Sequence, residues 1–123
     1  MKALIATAAL AALTAGPVYA DCPYPTPPEK IPDGNSASLS DMVAVKKAIT
    51  EYDAAIGVYL ECIKQEHTDA VAKAGDKLTD KQKEDLEHIE TQRHNAAVAQ
   101  LQSVADRFNE QVRVYKAKNA KKE

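Results

Sequence analysis

From Met42 onward the apolar residues recur at alternating steps of three and four: Met42, Val45, Ile49, Tyr52, Ile56, Tyr59 and Ile63. Such a heptad seam predicts one long amphipathic helix. Ser40 is placed to cap its start, and Asp41 suits the positive end of the helix dipole. The pattern weakens after Ile63, but Ala70, Val71 and Ala74 carry helix to Gly75, a natural stop. Thr79 with Gln82 three residues on reads as a capping box that opens a second helix. Its apolar face recurs every eleven residues, as in Leu86, Ala97 and Phe108, the period of a nearly straight helix. No proline or glycine follows Gly75. The expectation is an all-α chain with helices over residues 40–74 and 80–117, paired as an elongated antiparallel hairpin because the turn is short. Each helix is then about 50 Å long. Pairing outward from the turn sets Ile63 near Glu90 and Arg93, Ile56 near Ala97 and Leu101, Ile49 near Val104 and Phe108, and Met42 near Val112.

Residues 1–20, "MKALIATAALAALTAGPVYA", follow a different rule. One lysine, an apolar run, a Gly-Pro break and small residues at Val18 and Ala20 predict a secretory signal peptide. The run is shorter than the roughly 20 apolar residues a membrane anchor needs. Removing 20 of the 123 residues leaves 103, one domain by size, with no transmembrane anchor after processing. The expected location is the periplasm or the cell exterior.

Residues 21–37 form a third zone. Five prolines between Pro23 and Pro32 remove amide donors and favour an extended, polyproline-like arm that ends in a turn at Asp33-Gly34-Asn35. Two cysteines, Cys22 and Cys62, predict one disulfide in an exported chain, within the chain or between chains. Cys22 reaches Cys62 if the arm runs back along helix one. The 22 residues from Ser40 to Cys62 span about 33 Å of helix, and the 18 from Cys22 to Ser40 reach about 55 Å when extended. The small flank of Ala44, Ala48, Ala55, Val58 and Cys62 then receives the arm, with Tyr24 on Tyr52 and Tyr59. A free proline-rich ligand for a partner's aromatic groove is the competing reading.

Charge changes the picture little. The processed chain carries 15 Lys and Arg against 18 Asp and Glu, too acidic for general nucleic-acid binding. Residues 118–123 form a basic tail. The turn-proximal half of the hairpin is polar where a core is expected: Glu66 on the seam, His67 beside it, and Glu90, Arg93 and His94 opposite. His67, Glu90 and His94 are the candidates for a metal site, set against an ion-paired end with contacts such as Glu90–Arg93. Asn95 lies level with Tyr59 as a partner for its hydroxyl. Asn109 and Arg107 are placed to bond the turn before helix one. No nucleophilic triad, phosphate loop or zinc-cysteine set occurs, and no cofactor is indicated, so the expectation is a non-enzyme.

"LTDKQ", Leu78 to Gln82, resembles the LTxxQ motif of the periplasmic stress-protein group that includes Spy and CpxP. That resemblance implies an exported helical protein, often dimeric and in some members a chaperone, and an interaction role for Leu78, Thr79 and Gln82. The Cys/Pro-rich N-terminus with "HNAAV" and "VADRFNEQVR" is similar to small exported proteobacterial helical proteins of unassigned function, which implies fold and compartment but no activity. The expected function is a structural or interaction module of the cell envelope, a homodimer with an envelope protein as a further partner. The alternatives are a chaperone of LTxxQ type and metal binding near the turn.

Overall fold

The computed structural model describes residues 22–122; the leader expected over residues 1–20 lies outside them. An extended arm leads into α1 (Leu39–Ala74), a single 3-10 turn (Gly75–Lys77) and α2 (Asp80–Ala120). The described residues contain no strand. The two helices pack side by side as an antiparallel hairpin.

Capping chemistry sets the boundaries. Ser38, not Ser40, caps α1. Asp41 falls at the third helical position counted from Ser38, so the Ser38 hydroxyl accepts from Asp41 N (3.1 Å) and Asp41 Oδ2 accepts from Ser38 N (2.9 Å). From Ser40 the same position is Val43, whose side chain has no oxygen to accept from the cap. The Ser38 hydroxyl, then its backbone N–H, hold the Asp41 carboxyl below the usual carboxylate range. Gly75 ends α1 at φ +52°, where a side chain would be strained, and its N–H closes on Val71 O. Thr79 and Gln82 cap α2 reciprocally. Helix continues to Ala120, past the expected end near 117, because Ala117 and Ala120 favour it and Lys118 suits the dipole of the last turn. Part of the expected basic tail is therefore helix.

The core is one line of side chains along the hairpin. Ile56, Ile63 and Val104 are fully enclosed, with Tyr52, Tyr59 and Ala97 around them. Leu101 and Ile49, both half-buried, pack against this line; Val45 is half-buried as well. The arm supplies the third side: Cys22 is buried in the same cluster, and Ile31 packs on it.

Candidate functional site

The arm is held at both ends. Cys22 and Cys62 are disulfide-bonded, with Cα atoms 5.8 Å apart. At the other end Asp33 organises a turn: its Oδ1 accepts from Asn35 N, and its carbonyl accepts from Ser36 N and Ala37 N. That turn presses Gly34 onto α2. A Cβ on Gly34 would lie 2.3 Å from Gln111 O and 2.7 Å from Tyr115 N, so only glycine fits. Gly34 N donates to Gln111 Oε1 at 2.8 Å. Gln111 thus takes the place expected for Asn109 and Arg107. Asn109 lies on the other side of α2, and Arg107 borders a shallow hollow beside Ile31.

Between its ends the arm lies nearer the helix seam than the alanine flank suggests. Tyr24 meets Tyr59 edge to face at 5.0 Å. Ala48, Ala55 and Cys62 are half-buried, but Ala44 is exposed and Val58 is 73% exposed. Val58 sits a further 40° or so around the helix, beyond the arm's reach. Tyr52 is only 3% exposed, and its hydroxyl has no hydrogen-bond partner among the described residues. Burial, with Tyr24 close by but out of bonding geometry, pushes its phenol pKa up.

Beside the disulfide, Arg93 donates from its Nη1 to Glu66 Oε1 (2.9 Å) and from its Nε to the Tyr59 hydroxyl (3.3 Å). Its guanidinium also lies 5.8 Å from the Tyr59 ring centre. The other Glu66 oxygen is 3.3 Å from the Cys22 sulfur, a contact only, because a disulfide sulfur has no proton to donate. The bond to Tyr59 raises the Arg93 pKa most, with Glu66 adding to it against burial. Two sequence expectations change here. Arg93, not Asn95, meets Tyr59, and Asn95 is exposed. Arg93 also pairs with Glu66 across the hairpin rather than with Glu90 on its own helix.

Glu90 instead faces His67, Nδ1 to Oε2 at 3.5 Å. His94 is exposed, so two of the three candidate metal ligands meet and the third stands apart. Among the described residues no group of three or more His, Cys, Asp or Glu is placed to hold a metal ion. Of the "LTDKQ" residues, Thr79 and Gln82 use their polar groups on the cap, and Leu78 is half-buried.

The far side of the hairpin has no arm. Near the open end Leu39, Met42 and Val43 face Phe108, Val112 and Tyr115 across a shallow apolar trough, with Lys46 and Lys116 on its rim. Leu39 and Val43 are 63% and 57% exposed. No helix among the described residues is long and apolar enough to cross a membrane. No family model, curated protein or solved structure matches the chain.

Proposed function

We propose that the protein is an exported structural or interaction module of the cell envelope that associates with itself and carries out no catalysis. The unequal covering of the two sides of the hairpin carries this reading. One groove is filled by the strapped arm. The other leaves Leu39 and Val43 open to solvent over an apolar trough, an arrangement that a second helical pair would bury. The disulfide favours an oxidising compartment outside the cytosol, in keeping with the apolar leader in the sequence.

Sedimentation velocity of the disulfide-bonded protein tests the association. Dimers are expected to accumulate as concentration rises through the micromolar range. A single monomeric species up to millimolar protein would end this reading. Crosslinking in cells, followed by mass spectrometry, would then identify any envelope protein held beside the dimer.

A further inference from the structure

The charges of the described residues are unevenly placed along the hairpin. The half that holds the turn, residues 49–104, carries six Lys and Arg against eleven Asp and Glu, a net of −5. The open half, residues 29–48 with 105–122, carries nine against five, a net of +4, and the uncharged residues 22–28 lie beside the turn half. Among the described residues the turn half is therefore acidic and the open half basic. Lys46 and Lys116, on the rim of the apolar trough, belong to the basic end, and neither makes an ion pair among the described residues.

Gly57 supplies an independent observation. It stands at the midpoint of α1, in the interior of a 36-residue helix, where glycine is unfavourable by about 1 kcal/mol relative to alanine. Nothing lies within 4 Å of where its Cβ would be, so no contact within the chain requires glycine. Gly57 follows Lys46 by eleven residues and Leu39 by eighteen, spacings that put all three on one line along the helix. Leu39 and Lys46 line the trough, and exposed Gly57 continues their line toward the turn, about 16 Å beyond Lys46.

We propose that the occupant of this face is a second copy of the chain lying antiparallel. The two α1 helices cross at Gly57, and each basic open end rests over the acidic turn end of its partner. The inference rests on the self-association proposed above and adds its direction. A two-fold axis at the midpoint of α1 brings the missing Cβ atoms together, where glycine permits the closest backbone approach. The same axis joins opposite charges at both ends, whereas a parallel pair would join like charges.

Zero-length carbodiimide crosslinking of the wild-type, disulfide-bonded protein reads the direction directly. Within one chain Lys46 and Asp69 are 23 residues apart on α1, about 35 Å, and Lys116 and Asp80 are 36 residues apart on α2, about 54 Å. Neither pair can crosslink internally. Crosslinks from Lys46 or Lys116 to Asp69, Asp76, Asp80 or Glu84 are expected in the dimer band, and association should weaken several-fold when salt rises from about 0.05 M to about 0.5 M. Gly57→Gln should weaken association at least tenfold while leaving the fold of the dilute monomer intact by circular dichroism. A dimer that lacks end-to-end crosslinks, or that tightens with salt, overturns the direction and leaves self-association standing. Unchanged association of Gly57→Gln overturns the crossing point. A wild-type monomer at all concentrations overturns self-association as well.

Discussion

Gly34 and Gly57 show how far one side chain's surroundings decide its worth. Gly34 N bonds Gln111, and its α-carbon rests against the backbone of α2. Gly34→Ala must push the Asp33 turn off the helix and is expected to destabilise by about 2 kcal/mol or more, the usual scale for overpacking. Gly57→Ala enters open space and should stabilise the monomer by about 0.5–1 kcal/mol. Urea unfolding of dilute protein measures both, and equal effects would contradict the packing described. Tyr52 gives a less intuitive expectation. Its buried hydroxyl has no partner among the described residues, so Tyr52→Phe should stabilise by about 1 kcal/mol rather than weaken the core. The raised phenol pKa also fixes a sign. The unfolded chain loses this proton first, so the stability tied to Tyr52 is complete below about pH 10 and falls as pH rises past it. Tyr52→Phe should reduce that alkaline loss, as urea midpoints at pH 9 and pH 11 would show.

At the scale of elements, both helices were legible in the sequence, α1 from its period and α2 from its cap. The steps of Ile49, Tyr52, Ile56, Tyr59 and Ile63 fixed the buried face of α1, and Thr79 with Gln82 fixed the start of α2. Ser40 was the wrong cap because two serines compete and only Ser38 has an acid at the third helical position. The arm's path was legible from chain length and the cysteines, but its lateral position was not. That depends on Tyr24 docking on Tyr59 and on Gln111 meeting a residue 77 positions away. Arg93 was harder still. Pairing outward from the turn put Glu66, His67, Glu90 and Arg93 at one level, but rotation about the helix axes decides which acid meets which base. The arm itself should depend on its covalent end. Closing a 40-residue separation contributes about 4 kcal/mol on the chain-entropy account. Cys22→Ser with Cys62→Ser should remove most of that in urea unfolding. The edge-to-face contact of Tyr24 with Tyr59 should be lost, as disappearance of the NOEs between the two rings would show, while helical circular dichroism persists. Retained Tyr24–Tyr59 NOEs would mean that packing alone holds the arm.

At the scale of the molecule, the hairpin has length without a deep interior. Its α2 of 41 residues spans about 60 Å, yet among the described residues the enclosed core is one side chain wide. Such a body gains most by lying beside another of its kind, and direction then governs overall dimensions. An antiparallel pair crossing at the midpoint of α1 keeps nearly the length of one hairpin while doubling the mass. Small-angle X-ray scattering should therefore give the dimer a maximum dimension within about 15 Å of the monomer's. An end-to-end assembly would nearly double it.

Cys62 lies 23 residues into α1, about 35 Å from its first residue, and Cys22 is bonded to it there. Whatever chain precedes Cys22 therefore joins the molecule on its flank, not at a tip. A dye or carrier fused upstream would report from the waist of the rod, while one placed after Ala120 would report from its basic extremity.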